Sequence, residues 1–287
     1  MKNAEITIRQ MTRPELDVAV EWAAAEGWNP GLHDADIFWQ TDPDGFVTME
    51  RQGEMIGAGS IVSYGGHFGF MGFFIVRKDM RGLGLGTDLW LKRKALLSAR
   101  LQPGASIGMD GVFDMQPFYK KGGFVLSHRN LRMECQGRLV RYDEEFVRPY
   151  TDDKFAALLK IDTEHFGFER ATFLRAWLNS PDHRAFYYED EGEVRGYAVI
   201  RKCLKGWKVG PLFARDSYTA NHLFAAVNGV SFFDTLYLDV PENNPLAMDM
   251  ADTYKLKQSF GCARMYAGQA PKLPWSQIYG VTTFELG

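Results

Sequence analysis

Residues 73–90 read FFIVRKDMRGLGLGTDLW. The apolar beginning predicts a buried strand, the centre is a glycine-rich turn opened by Arg81, and the end has the composition of a helix. Glycines lack the Cβ atom that would keep an anion away, so several backbone N–H groups of such a turn converge on one point. The N-terminus of the helix adds free N–H groups and the positive end of its dipole. The stretch therefore predicts a strand–turn–helix unit that binds a phosphate or pyrophosphate.

The spacing of the glycines separates three kinds of phosphate site. A Walker-type loop needs Gly-Lys-Ser/Thr after its second glycine, whereas Gly86 is followed by Thr87 and Asp88. A dinucleotide fingerprint needs Gly-x-Gly-x-x-Gly, and Thr87 occupies the position of the third glycine. The pattern that fits is Arg-x-x-Gly-x-Gly on Arg81, Gly84 and Gly86. The alternative interpretation is a tight strand–helix connection that binds nothing.

Composition limits the class of protein and its partners. A chain of 287 residues, 46% hydrophobic and 24% charged, suits one large globular domain or two ordinary ones. The net charge of −3, without a long run of one sign, gives no electrostatic case for nucleic acid or a membrane as the main partner. Residues 1–9 lack the apolar core of a signal peptide, and the three cysteines are too few for a disulfide framework. We therefore predict a reduced, cytoplasmic location, and the scattered histidines predict no metal site.

The two halves of the chain repeat each other. Matching residues recur at a constant offset of 139, as between Arg9 and Arg148 (148 − 9). The offset falls to 129 between Asp110 and Asp239 (239 − 110), so the second half is shorter in the interval that holds the glycine-rich turn in the first. Residues 210–217 of the second half read GPLFARDS, without a glycine cluster. We predict two similar domains, 1–138 and 139–287, of which the second has lost the phosphate-binding turn and shapes the substrate site or only supports the structure.

The order of elements defines the fold class. Each half runs strand, two helical segments, strand hairpin, long strand, helix, strand, helix and strand. This order predicts an α+β fold, in which each half is a mixed, mostly antiparallel sheet flanked by helices. In the helix after the glycine-rich turn, Leu89, Trp90 and Leu97 belong to a predicted inward stripe, and Arg93 is predicted outside it or at its margin.

A second motif, MDGVFDMQPFYKKGGF, occupies residues 109–124. Pro117 suits the first turn of a short helix and Gly122 with Gly123 suits its end, so the helix carries Tyr119 and precedes Phe124. The glycine-rich turn is thus followed, in order, by a strand end, a short helix with a tyrosine, and a Gly-Phe pair that opens the next strand. In this arrangement the chain resembles the GNAT superfamily of N-acetyltransferases.

The resemblance extends over essentially the full length. With Arg-Met-Tyr at residues 264–266, the whole chain looks like the bacterial YitH-type acetyltransferases with a degenerate C-terminal GNAT domain. The resemblance implies acetyl-CoA as co-substrate and direct transfer of the acetyl group to an amine of a small molecule or peptide. It also implies a set of cofactor-binding residues, namely Phe74, Ile75, Val76, Arg81, Gly82, Leu83, Gly84, Leu85, Gly86, Thr87 and Asp114.

The resemblance implies a general acid but leaves the general base open. Tyr119 matches the tyrosine that commonly faces the coenzyme A sulfur and protonates the departing thiolate, although it would also suit the core. Many family members use a glutamate on the strand before the loop, yet residues 68–76 contain no acid. Asp110 is the nearest candidate base. Asp239, the matching residue of the second half, argues equally for a structural role of Asp110. A water relay is a third route by which the amine could lose its proton.

Acceptor contacts are predicted in the first helical region. Residues 21–36 place acidic side chains beside two tryptophans, and Trp28, His33 and Asp34 would suit a cationic amine through charge and ring faces. In the alternative interpretation, the tryptophans belong to the core and the acidic side chains form a solvated surface. The missing strand glutamate favours an alternative function, a catalytically silent CoA-binding sensor or scaffold. A further alternative is a protein-interaction module built from a duplicated fold.

Overall fold

Both halves form strands and helices close to the predicted order in the computed structural model, which describes residues 6–287. Residues 1–5, the beginning of the segment used to predict location, lie outside this range. The elements of the first half are, in chain order, β1 (Ile6–Gln10), α1 (Arg13–Ala25), α2 (Asp34–Thr41), β2 (Phe46–Arg51), β3 (Glu54–Ser60), β4 (Val62–Tyr64), β5 (Phe68–Phe70), β6 (Ile75–Val76), α3 (Leu85–Ala99), β7 (Ser106–Val112), α4 (Gln116–Lys121) and β8 (Val125–Gln136). Those of the second half are β9 (Val147–Pro149), α5 (Phe155–Phe166), α6 (Ala171–Asn179), β10 (His183–Asp190), β11 (Glu193–Lys202), β12 (Trp207–Ala214), α7 (Ser217–Val230), β13 (Thr235–Pro241), α8 (Pro245–Thr253), β14 (Lys257–Ala267) and β15 (Ile278–Gly280).

Local sequence explains several of these boundaries. The predicted hairpins β2–β3 and β10–β11 both form, and Gly53 and Gly192 take the left-handed φ values of 82° and 77° that their turns require. Helix α1 begins at a capping box in which the Glu15 carboxylate accepts hydrogen bonds from the backbone N–H and the hydroxyl of Thr12. None of the helices within residues 6–287 has the length and apolar character needed to cross a bilayer.

The strands form two sheets, a smaller antiparallel one and a larger mixed one. The smaller has the order β1-β2-β3-β6, and the larger has the order β4-β5-β7-β14-β8-β13-β12-β11-β10-β9, with β15 beside β12. Within the described residues only β5–β7 and β12–β13 pair in parallel, which confirms the predicted mixed, mostly antiparallel character. The larger sheet runs through both halves because β14 lies between β7 and β8. Strand β8 of the first half therefore pairs with β13, and β14 of the second half pairs with β7, an exchange that the repeat did not reveal.

Two buried ion pairs mark this exchange. Arg264 on β14 stands directly opposite Asp110 on β7, and its Nη2 lies 2.6 Å from the carboxylate. Arg132 on β8 stands directly opposite Asp239 on β13, with Nε 2.7 Å from the carboxylate. All four side chains are at most 6% exposed. The repeated aspartates and arginines of the sequence thus meet across the halves rather than within them.

The long strand predicted before the glycine-rich turn is broken in the first half. Strand β5 pairs with β7 as far as Phe70, and the chain then bends through Phe73, whose φ of 48° is left-handed. Strand β6 leaves β7 and pairs with β3 instead, so a gap opens between the two sheets. In the second half β12 continues without a break and pairs with β15 through Leu212 and Phe213.

Helix α3 buries one charged side chain that the pattern placed at its surface. Arg93 was predicted outside the apolar stripe or at its margin, but it is fully buried. Its Nη2 donates to the carbonyl oxygens of Ser60 at 2.7 Å and Gly72 at 2.5 Å. Periodicity counts polar residues as exposed and cannot register carbonyl groups of distant residues that accept hydrogen bonds from a buried guanidinium. The predicted apolar positions are buried as expected, namely Leu89, Trp90 and Leu97.

Candidate active site

A cleft of about 520 Å³ follows the gap between β6 and β7, from the glycine-rich turn to the C-terminal segment. Residues of both halves line it. The structure brings together in this cleft most of the residues singled out from the sequence, namely Trp28, Phe74, Ile75, Val76, Arg81, Gly82, Gly84, Gly86, Thr87, Asp110 and Tyr119.

The glycine-rich turn presents its backbone N–H groups to the cleft. Gly82 and Gly84 have φ values of 79° and 81°, in the left-handed region that other residues rarely adopt. Within residues 6–287, the N–H groups of residues 82–86 have no intramolecular acceptor. A Cβ atom added at Gly84 would meet nothing within 4 Å, so the turn is open on this side. A run of free N–H groups at the start of α3 fits an anionic group such as a pyrophosphate.

The Arg81 side chain forms hydrogen bonds within the protein that hold the glycine-rich turn in place. Its Nε donates to the carbonyl oxygen of Val76 at 2.8 Å, and its Nη2 donates to Glu26 at 2.7 Å. These contacts tie the turn back to β6 and to the end of α1. The ion pair with Glu26 offsets part of the charge of Arg81.

Tyr119 meets the requirements for a proton donor in the cleft. Its ring packs on Trp90 with 5.0 Å between centroids and lies against Gly111, where any Cβ atom would collide with it. The side chain is 4% exposed, and burial raises the pKa of Tyr119 to about 12. The hydroxyl is therefore protonated at neutral pH, and it has no hydrogen-bond partner among the described residues. It is free to donate a proton to a group bound in the cleft.

Asp110 lines the cleft, but its carboxylate is already occupied. It accepts hydrogen bonds from Arg264 Nε at 2.9 Å, Arg264 Nη2 at 2.6 Å and Asn130 Nδ2 at 2.9 Å. Burial raises the pKa of Asp110, and the arginine opposes this effect. Its repeat partner Asp239 holds the matching ion pair with Arg132. This geometry favours the structural interpretation of Asp110 over that of a base.

Two of the three predicted acceptor residues lie elsewhere, which corrects their assignment. Asp34 is 1% exposed, and its carboxylate binds Arg201 at 3.1 Å and accepts the N–H of Gly31 at 2.7 Å. His33 binds Asp182 at 2.8 Å beside a separate groove between α2 and α6. Asp34 is buried away from the cleft because the buried guanidinium of Arg201, from the second half, requires a counter-charge.

Three predicted cofactor residues do not direct their side chains into the cleft. Leu83 is 62% exposed, Leu85 is buried in the core beneath α3, and Asp114 is exposed in the turn before α4. Leu83 and Leu85 nevertheless contribute backbone N–H groups to the free run at residues 82–86.

Several residues of the cleft were missed because they come from distant parts of the chain. The second half contributes Phe260, Cys262, Phe284 and Glu285, and α3 contributes Arg93. Glu285 is 5% exposed, its Oε2 has no hydrogen-bond partner among the described residues, and burial raises its pKa. The only sequence signal was a lone acid within VTTFEL, residues 281–286.

Comparison with protein families finds a match in each half. The model of the acetyltransferase (GNAT) family matches residues 9–124, which include β6, the glycine-rich turn, α3 and Tyr119. The model of an acetyltransferase (GNAT) domain matches residues 158–280. The two matches together span most of the chain and coincide with the repeat.

Similar proteins agree with this assignment. The chain is 27% identical to a holothin acyltransferase of Pseudoalteromonas sp. (strain SANK 73390), over 98% of this chain and 94% of the relative. The fold is similar to that of a suspected acetyltransferase from Pyrococcus horikoshii, with a TM-score of 0.83, 22% identity and coverage of 100% and 99% of the two chains. It is also similar to a tandem GNAT protein from the clavulanic acid biosynthesis pathway, with a TM-score of 0.64, 12% identity and coverage of 93% and 100%. The chain belongs to the GNAT superfamily of acetyltransferases and is an acyltransferase built from two tandem GNAT domains.

Proposed function

We propose that the protein is an acetyl-CoA-dependent N-acetyltransferase that transfers the acetyl group directly to an amine of a small molecule or peptide. The observation that carries this proposal is one continuous cleft that joins a run of free N–H groups to the unpartnered hydroxyl of Tyr119. The match to acyltransferase families in both halves supports acyl transfer over the silent sensor considered from the sequence.

The residues of the first half fit acetyl-CoA. The N–H groups of residues 82–86 would hold the pyrophosphate, and each hydrogen bond to a charged group contributes about 1.5–3 kcal/mol, so several would dominate the affinity. Phe74, Ile75, Val76 and Thr87 line the cleft beside the turn. Asp114 is exposed and remains a predicted contact at the rim.

The same residues set up the transfer. Bound acetyl-CoA would supply the thioester whose acetyl group is transferred. Because β6 is an edge strand beside the gap, a backbone N–H near Ile75 or Val76 can polarise the carbonyl group. Tyr119, protonated at neutral pH, donates its proton to the sulfur as the thiol leaves.

We infer that the second domain, from residue 139 onward, is degenerate as a cofactor-binding domain, as in the YitH-type enzymes. Two observations support this. Strand β15 occupies the region beside β12 where the first half has its gap, and the Val281 N–H donates to the Asp239 carbonyl oxygen at 2.9 Å. The start of α7 is capped by Asp216, which accepts the Thr219 N–H at 2.8 Å, so a carboxylate occupies the helix start at the position where Gly84 leaves it open in the first half.

The second domain instead shapes the acceptor end of the cleft. Phe260 and Phe284 line the cleft, as does Trp28. The Trp28 carbonyl oxygen accepts hydrogen bonds from Arg132 on β8 at 2.8 Å and from Lys208 on β12 at 3.3 Å, so two strands that both pair with β13 of the second half fix the position of this loop. Three aromatic side chains around one opening suit an amine attached to an apolar or aromatic body.

Titration calorimetry with acetyl-CoA tests the cofactor assignment. We expect micromolar binding by the wild type and loss of binding in Gly84→Glu, because the new side chain brings a negative charge and backbone strain to the free N–H groups. Gly192→Glu is the matched control, because Gly192 has a similar φ and open space but lies in the β10–β11 turn. The control should bind normally.

Two results would contradict the proposal. The first is a wild type that does not bind acetyl-CoA. The second is a Gly84→Glu variant that binds as tightly as the Gly192→Glu control. If binding is found, release of free thiol from acetyl-CoA in the presence of a panel of primary amines then tests the reaction itself.

A further inference from the structure

The segment that follows β15 crosses from the second half to the cleft of the first. It is held at several points along its length. Arg170 Nη2 donates to the Thr282 hydroxyl at 2.8 Å, and its Nη1 donates to the Gly287 carbonyl oxygen at 3.2 Å. The Tyr64 hydroxyl donates to the Leu286 carbonyl oxygen at 2.7 Å. Arg170 is itself fixed by a buried ion pair with Asp162, so residues 281–287 have a defined path.

This path brings Glu285 to the head of the gap between β6 and β7. Its backbone lies against Gly72, where a Cβ atom would collide with the Glu285 carbonyl group. Gly72 precedes Phe73, the residue at which the chain bends away from β7 to form β6. Glu285 therefore stands beside the point where the strands diverge, in the same cleft as Tyr119.

The acidic residues of the cleft differ in how they are paired. Glu26 is bound by Arg81 at 2.7 Å, and Asp110 is bound by Arg264 at 2.6 Å. Glu285 has no ion-pair partner within residues 6–287, and its Oε2 lacks any hydrogen bond there. A buried carboxylate without a partner is costly, and such groups occur where function requires them. Among the described acids that line this cleft, Glu285 alone has a carboxylate without an ion-pair partner.

We propose that Glu285, supplied by the second domain, is the general base that takes a proton from the acceptor amine. This inference rests on the proposed function. The ammonium group of the acceptor gives one proton to the Glu285 carboxylate, and the freed nitrogen lone pair forms the C–N bond to the acetyl carbon. The C–S bond breaks, and the sulfur takes its proton from Tyr119. After the attack the nitrogen carries two protons; it loses one to solvent and keeps the other as the N–H of the amide. The tyrosine and glutamate return to their starting states by exchange with water.

The surroundings of Glu285 suit this role. Burial raises its pKa above the ordinary value of 4.5, and the charge of Asp34 acts in the same direction. Lys208, Arg132 and Arg201 oppose this shift but form no ion pair with it, and Cys262 also faces the group. A carboxylate of raised pKa accepts a proton more readily than an ordinary one.

The inference also narrows the acceptor class. A free buried carboxylate flanked by Phe260 and Phe284 would bind the ammonium form of a primary amine and then deprotonate it. We therefore expect primary amines with an apolar or aromatic body to be better acceptors than amines that also carry a carboxylate near the nitrogen.

The test compares Glu285→Gln with the matched variant Glu164→Gln, whose residue is exposed on α5. We expect Glu285→Gln to lower kcat by about 10²-fold or more while the Kd for acetyl-CoA stays within twofold, and Glu164→Gln to leave both unchanged. In the wild type, kcat/KM should fall as the pH drops through the raised pKa, because the protonated carboxyl group cannot accept a proton. This acidic limb should be absent in Glu285→Gln and present in Glu285→Asp. A Glu285→Gln enzyme with wild-type turnover and an unchanged acidic limb would overturn the inference.

A second readout does not depend on turnover. With ¹³C-labelled glutamate, the carboxyl resonance missing from Glu285→Gln should titrate above 4.5 in the wild type and shift when acetyl-CoA is added. A resonance that titrates at the ordinary value and ignores acetyl-CoA would refute the inference even if no acceptor were found. Failure of the proposed function has a different signature, namely a wild type that neither binds acetyl-CoA nor releases thiol with any amine.

Discussion

The first half of this protein keeps its central gap open, whereas the second half fills the equivalent region with its own chain. In the first half the strand before α3 is broken at Phe73, and β6 turns away from β7. In the second half β12 is continuous and β15 pairs with it. The helices that follow differ in the same sense, because α3 begins at Gly84 with free N–H groups and α7 begins at Asp216, which caps its own helix. One fold thus supports a ligand site or a packed sheet, according to a few residues around one gap.

The comparison also shows what an open gap requires of the core. The ninth residue after the helix start is Arg93 in the first half (93 − 84) and Ala225 in the second (225 − 216), and both are buried. Arg93 donates to Ser60 and Gly72, whose carbonyl groups flank the broken strand. A buried guanidinium is costly, and hydrogen bonds to these carbonyl oxygens offset part of that cost. Where the strand is unbroken, a small apolar side chain is sufficient.

The largest expected effect concerns the exchanged strands. We expect Asp110→Asn and Asp239→Asn each to lower the free energy of unfolding by about 3–5 kcal/mol, because each leaves a buried arginine without its counter-charge. Urea denaturation measures this directly. If Asp110 is structural like Asp239, the pH dependence of turnover should be unchanged in Asp110→Asn. Loss of the acidic limb in Asp110→Asn, with little change in stability, would restore Asp110 as the base.

The second expected effect is on turnover, and it compares a tyrosine of the first half with one of the second half. Tyr119→Phe should reduce turnover by about 10²-fold or more, about 2.7 kcal/mol in the barrier, because phenylalanine cannot protonate the thiolate. The affinity for acetyl-CoA measured by calorimetry should not change. The control is Tyr254→Phe, at the end of α8 in the second half, whose hydroxyl donates to Asn221 at 3.3 Å. Equal turnover in the two variants would remove Tyr119 from the reaction.

The smallest expected effect tests why the second half has no cofactor site. Asp216→Ala removes the cap of α7 and should cost about 1 kcal/mol of stability in urea denaturation. It should not create a second acetyl-CoA site, because β15 still fills the region beside β12. A binding stoichiometry of two in calorimetry would show that the cap alone, rather than the filling strand, closes the second half.

The sequence predicted much of the local structure for physical reasons that act over short distances. Glycine spacing around Gly84 and the hairpin at Gly53 report backbone conformations that neighbouring residues cannot change. The prediction failed where a partner lies far away in the chain. Arg93 is buried because of carbonyl groups near residues 60 and 72, and Asp34 is buried because of Arg201 from the other half. Polarity at one position carries no information about such partners.

By itself, the sequence determined that the chain is a duplicated α+β fold with one glycine-rich turn before a helix, because hydrophobic periodicity, turn residues and the constant offset are properties of the chain. The tertiary structure alone decided that the last strands β8 and β14 exchange partners and that β15 fills the second gap. It also decided that Glu285 reaches the cleft of the first half, more than 200 residues from Gly72 (285 − 72). Pairing between distant strands depends on which edges meet in space, and local sequence patterns do not encode that choice.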